Sequence, residues 1–143
     1  MIVKEIMTVD VATIKPTDTI HDAAVVMKKS RKRGLIVVKT GKLVGILTER
    51  DIIAKVIAED KVPSKVKVET VMSNEVIIIK PNLDVIDAAS IMAEKNIKKL
   101  PVVDGGKLLG VVTAMDIVES EPEMMKHLSD LFLVSKKKKS MAG

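Results

Sequence analysis

The chain is written twice. Sliding the 143-residue sequence by about 65 positions lays Val3–Ile53 over Val68–Val118 without a gap, and about 20 of about 51 positions are identical. "VKEIMT" falls on "VETVMS", "TIKP" on "IIKP", "DAAVVM" on "DAASIM", "LIVV" on "LPVV", and "GKLVGILTERD" on "GKLLGVVTAMD". A duplication this long fixes the problem that the fold has to solve. Each copy is too short to bury a good core alone, so the two must fold as paired units.

Each copy reads as β-α-β-β-α. A short helical turn around Ile6 or Val71 opens it, and a strand follows at Val11–Lys15 or Val76–Lys80, stopped by Pro16 or Pro81. Next, Ile20, Ala23, Ala24 and Met27 recur at helical spacing, as do Val85, Ala88, Ala89 and Met92. Thr17 or Thr19, and Asn82 or Asp84, are the candidate N-caps. Two apolar runs follow, Leu35–Lys39 and Leu43–Thr48, matched by Leu100–Asp104 and Lys107–Val112. Glycines at the short break between the runs supply the positive φ of a tight hairpin. A closing helix starts at Thr48 or Thr113.

The pattern predicts an α/β fold of two β-α-β-β-α repeats, packed sheet to sheet about a pseudo-twofold axis. The first repeat spans 1–58, a linker 59–67 and the second repeat 68–120. Residues 121–143 hold a last helix and a disordered Lys-rich tail. In that helix Met124, Met125, Leu128, Leu131 and Phe132 fall on one side.

Composition removes several chemistries. With no Cys there is no disulfide, thiolate site or Cys nucleophile, and His21 and His127 stand far apart with no metal-ligand spacing. No Ser-His-acid set or phosphate loop is present, so an enzyme is not expected. No apolar run is long enough to cross a membrane and no leader pattern opens the chain, which points to a cytoplasmic protein. The net charge is +5, four of it from Lys136–Lys139, so the body is near neutral. A lysine run is more often a solubilising tail than a nucleic-acid contact, and nucleic acid is the weaker partner class.

Two tandem units, each with "G-hydrophobic-hydrophobic-T-x-x-D" before its last helix, openers "IMT" and "VMS", and "IKKLPVVD", resemble a pair of cystathionine-β-synthase (CBS) domains. The resemblance covers about residues 3–118. It implies binding of an adenine-containing ligand (AMP, ADP, ATP or S-adenosylmethionine) in clefts between the two units. It also implies homodimerisation, no cofactor of another kind, and regulation of a separate effector protein.

Thr48 with Asp51, and Thr113 with Asp116, have two readings. Thr-x-x-Asp before an apolar helix is a capping box, though Asp is a shorter partner than Glu. The same geometry lets a carboxylate accept the two hydroxyls of a ribose. By resemblance, Arg33 and Lys98 reach the phosphates, and Thr13 and Ile14, or Ile78 and Ile79, wall the adenine. Gly34 and Leu35, and Lys99, Leu100 and Pro101, complete the edge of each cleft. Arg50 is placed to reach the other unit's ligand, whereas its counterpart Met115 cannot pair with phosphate. Charges at these helix ends serve equally as solvated residues that favour the helix macrodipole. The two sites are therefore expected to differ in affinity.

Overall fold

The computed structural model describes residues 1–131, which divide into two compact units. The first comprises Asp10–Val76 and Gly105–Leu108. The second comprises Met1–Val9, Ile77–Asp104 and the described part of Leu109–Gly143. The fold is mixed α/β, and the units do not coincide with the sequence copies, because each copy's opener lies in the other copy's unit.

In the first unit the order is β1 (Thr13–Ile14), α1 (Ile20–Ser30), β2 (Gly34–Lys39), β3 (Lys42–Thr48) and α2 (Glu49–Ile52), which continues as a π-helical turn over Ile53–Ile57. β1 pairs parallel with β2, Thr13 opposite Ile36 and Ile14 opposite Val37. β2 pairs antiparallel with β3, with a bulge between Val37 and Val38. Ile20, Ala23, Met27, Leu35, Val37, Leu47 and Val56 form the core. Each fully buried Leu or Ile contributes about 1.5–3 kcal/mol relative to exposure.

The residues read as a linker are tied into this unit. Ile20 N–H donates to Val66 O at 2.8 Å and Val68 N–H to Asp18 O at 2.8 Å, and Val68 is wholly buried in the core. Ser73 and Ile46 exchange both backbone hydrogen bonds at 2.9 Å, so the second copy's opener forms a rung beside β3.

The second unit repeats the plan with α3 (Val85–Lys95), β4 (Lys99–Asp104), β5 (Lys107–Thr113, whose first two residues fall in the first unit) and α4 (Ala114–Ser120). Here Val3 is the buried opener, and Thr8 exchanges backbone hydrogen bonds with Val111 at 2.8 and 2.9 Å. The strand expected over Val76–Lys80 does not form. Only Ile79 bridges, to Val102, while Ile77 and Ile78 are exposed and have no apolar face to cover. The first copy's strand, expected over Val11–Lys15, shrinks to Thr13–Ile14.

Of the candidate N-caps, Thr19 and Asp84 serve: Thr19 Oγ1 accepts from Asp22 N–H at 3.1 Å and Asp84 Oδ1 from Ile86 N–H at 2.9 Å. Past α4, a 3₁₀ turn at Pro122–Met124 leads into helix α5, described over residues 125–131. Met124, Leu128 and Leu131 join the buried cluster of the second unit. Met125, expected on the same side, is 45% exposed, since it lies a quarter-turn from Met124. Phe132 and Lys136–Lys139 lie outside the described residues.

Candidate functional site

The Thr-x-x-Asp segments start α2 and α4. In both, the Thr backbone is still extended while the next residue is helical, so the Thr is the N-cap. Asp51 N–H donates to Thr48 Oγ1 at 3.1 Å, and Thr48 N–H donates to Asp51 Oδ2 at 3.0 Å. The second pair closes identically, at 3.0 Å onto Thr113 Oγ1 and 2.9 Å onto Asp116 Oδ2. Asp, although a methylene shorter than Glu, completes the reciprocal box here and again at Thr19 and Asp22.

A third free donor of each helix is met from the start of the preceding hairpin. Glu49 N–H donates to Arg33 O at 2.8 Å, and Ala114 N–H to Lys98 O at 2.8 Å. Gly34 stands opposite Thr48 in the ladder, and Leu35 opposite Leu47. Arg33, Gly34, Thr48 and Asp51 are thus brought to one end of the first unit's hairpin. Lys98, Thr113 and Asp116 are brought together in the second unit, with Lys99 next in the chain.

The other expected residues divide by burial. Leu35 and Leu100 are 1% and 0% exposed, and Ile14, Ile79 and Pro101 are also buried, so these side chains serve the cores. Thr13 is exposed beside Ile14, Ile78 is exposed beside Ile79, and Arg33, Arg50 and Met115 are exposed on their elements.

The two carboxylates differ on their second oxygen. Asp51 Oδ1 lies 3.5 Å from Lys55 Nζ, which also donates to Val71 O at 3.1 Å. The position equivalent to Lys55 is Ser120, whose hydroxyl instead donates to Asp116 O at 2.8 Å. Among the described residues Asp116 Oδ1 has no partner. Lys55 was not anticipated from sequence, although it sits four residues after Asp51, the spacing of a helical ion pair.

The glycines of the repeated motif, Gly45 and Gly110, have a packing role that the motif alone does not reveal. A Cβ on Gly45 would lie 2.7 Å from Met72 Sδ and 2.9 Å from Ser73 O; on Gly110 it would lie 2.6 Å from Thr8 O and 3.0 Å from Met7 Sδ. The openers "MT" and "MS" run directly over these glycines, which accounts for both motifs at once. The available signal was an interior strand Gly at the same place in each copy.

Residues 3–58 and 68–123 each match the CBS domain family. The chain belongs to that family. It is 38% identical over 119 residues to the CBS domain-containing protein YhcV of Bacillus subtilis, covering 83% of this chain and 84% of that one. It is 40% identical over 110 residues to the inosine-5'-monophosphate dehydrogenase of Thermoplasma acidophilum, covering 76% of this chain but only 21% of the enzyme. Its fold matches the crystal structure of a hexameric CBS-CP12 protein from bloom-forming cyanobacteria, with a TM-score of 0.68 and 31% identity over 95% of this chain and 84% of that one. The resemblance read from the repeat is therefore right. No helix among the described residues is long and apolar enough to cross a membrane.

Proposed function

We propose that this CBS pair is a non-catalytic, cytoplasmic regulatory module that binds an adenine-containing ligand and passes the signal to a separate effector protein. The observation that supports it is the repetition of one donor set. In each unit a Thr hydroxyl, an Asp carboxylate and a basic residue gather at one helix start, only partly buried. A ribose diol would bind the carboxylate oxygen left over from the cap, and Arg33 or Lys98 would reach the phosphates. Each charge-assisted hydrogen bond contributes about 1.5–3 kcal/mol. Asp116 is the better diol acceptor of the two, because Lys55 already occupies Asp51 Oδ1. The exposed ion pair is weak, about 0–1 kcal/mol, so it lowers affinity at the first site without abolishing it. The protein is also proposed to act as a homodimer.

The closed capping boxes support a second reading, a ligand-free scaffold in which Thr48, Asp51, Thr113 and Asp116 only start helices. Calorimetric titration of AMP, ATP and S-adenosylmethionine separates the two. Under the sensor reading one of them binds below millimolar concentration, and Asp116→Asn weakens it at least tenfold with a smaller loss for Asp51→Asn. No binding below millimolar, with each substitution only lowering the melting temperature, establishes the scaffold.

A further inference from the structure

Three lysines stand in one row across the first unit's sheet. Lys39 is the last residue of β2 and Lys42 the first of β3, and the two are direct partners across the hairpin. Lys42 is in turn the direct partner of Lys107, the first residue of β5, which falls in this unit. Leu43 N–H donates to Gly106 O at 3.1 Å and Leu108 N–H to Gly41 O at 3.2 Å. Lys42 and Lys107 are therefore the pair between these bonds, the arrangement that brings opposed side chains closest. Direct partners share a face of the sheet, so the three stems rise from one face at steps of about 4.8 Å, the spacing of adjacent strands. All three are exposed. The Lys42 stem lies across Gly106, where a Cβ would meet its Cδ at 3.6 Å.

The row works against stability. Like charges directly opposite one another repel, and no ion pair to any of the three is present among the described residues. The repeat does not require it either, since Asp104 stands in the second copy where Lys39 stands in the first. The row also lies apart from the capped helix starts: Lys42 and Lys107 begin the strands that Thr48 and Thr113 end. Three cations held in file at a cost to the fold call for an anionic partner.

We propose that the lysine row docks an acidic helix of a partner protein, with carboxylates at i, i+3 or i+4, and i+7. At 1.5 Å per residue those positions stand about 5 and 10.5 Å along the axis from the first, and the lysines stand about 4.8 and 9.6 Å along the row. A strand fits less well, because its same-face residues are about 6.8 Å apart. Nucleic acid is the weaker fit as well, because a chain whose one aromatic residue is Phe132 has almost nothing for bases to stack on. Complementary charge sets the register of such a contact more than its strength. The inference stands whether or not an adenine ligand binds.

The test uses the full chain and two fluorescent helical peptides of one composition. One carries glutamates at i, i+3 and i+7, and the other spreads the same glutamates around the helix. At low ionic strength the first is expected to saturate the anisotropy signal at submillimolar protein, to bind at least threefold tighter than the second, and to lose that advantage as salt screens the charges. Lys42→Met, which keeps the apolar stem, is expected to weaken the first peptide at least threefold while raising the melting temperature of the free protein, because it breaks the row of like charge. Lys39→Gln plus Lys107→Gln, at the two ends of the row, is expected to act in the same direction. Lys61→Met, at an exposed lysine elsewhere in the unit, is expected to change neither quantity. No saturable binding, equal binding of the two peptides, affinity kept by both sets of row variants, or an equal loss from Lys61→Met overturns the proposal. So does tripolyphosphate binding as tightly as the peptide, which assigns the row to a small phosphate. Sedimentation showing that Lys42→Met changes the oligomeric state overturns it too, since a second copy then meets the row.

Discussion

The two hairpins take the same turn with different residues. The first turns at Thr40 and Gly41, with φ of 49° and 79°, and the second at Gly105 and Gly106, with φ of 57° and 82°. Two successive positive φ values make the type I′ turn whose twist suits a two-residue hairpin. Gly accepts that backbone freely, whereas a β-branched Thr is strained in it. The backbone is therefore imposed by the strands and their partners, and the first unit tolerates a poor residue where the second has a good one. The helix starts teach the same lesson. α1 opens on a closed Thr19–Asp22 box, whereas α3 opens on Asp84 accepting from Ile86 alone. Two copies hold one architecture with different local means.

The comparison can be broken most sharply at the buried strand glycines. Gly110→Ala drives a Cβ to 2.6 Å from the backbone oxygen of Thr8, and Gly45→Ala to 2.9 Å from that of Ser73, with the flexible Met72 Sδ at 2.7 Å. Overpacking of this kind costs about 1–3 kcal/mol, and Gly110→Ala should lie at the upper end because a backbone atom cannot step aside. Denaturant unfolding of both variants checks the order. Equal losses would show that the two crossings are equally yielding.

A smaller effect of opposite sign is expected at the first turn. Thr40→Gly should stabilise the protein by about 1 kcal/mol or less, removing left-handed strain at some entropic cost in the unfolded chain. Gly105→Thr should do the reverse. Thermal melts of the two variants compare the turns directly.

The smallest effect concerns acid. The Thr19 backbone N–H, and then its hydroxyl, hold the Asp22 carboxyl below its usual range. Because the folded-state value is depressed, the box stabilises the protein above the ordinary carboxylate range, near pH 4, and that contribution fades as pH falls through the lower folded value. Asp22→Asn should therefore lower the melting temperature slightly at pH 7 and flatten its decline between about pH 5 and 2. Asp87, its counterpart, closes no such box. Melting curves of Asp22→Asn and the parent protein across that pH range check the effect.

Much of this was legible in the chain. The 65-residue repeat gave the element order. Its helix periodicity marked Ile20, Ala23, Ala24 and Met27 as core, and Val85, Ala88, Ala89 and Met92 likewise; all are buried except Ala24, which is exposed. Thr48 and Thr113 were readable as helix starts, because an N-cap is a local event settled within four residues. Residues 76–80 misled: β-branched side chains favour a strand, but a ladder needs a partner along its length, and only Ile79 has one.

Local chemistry, then, was fixed by the order of residues: two copies, their helices, turns and capped helix starts, and family membership. Tertiary structure alone decided which pieces share a core. It placed Val3 in the second unit and Val68 in the first, and passed "MT" and "MS" over Gly110 and Gly45. It also covered the second unit's apolar helix face with α5. Such choices depend on contacts between residues far apart in the chain. Periodicity shows that a face is apolar, and only the packed molecule shows what lies against it.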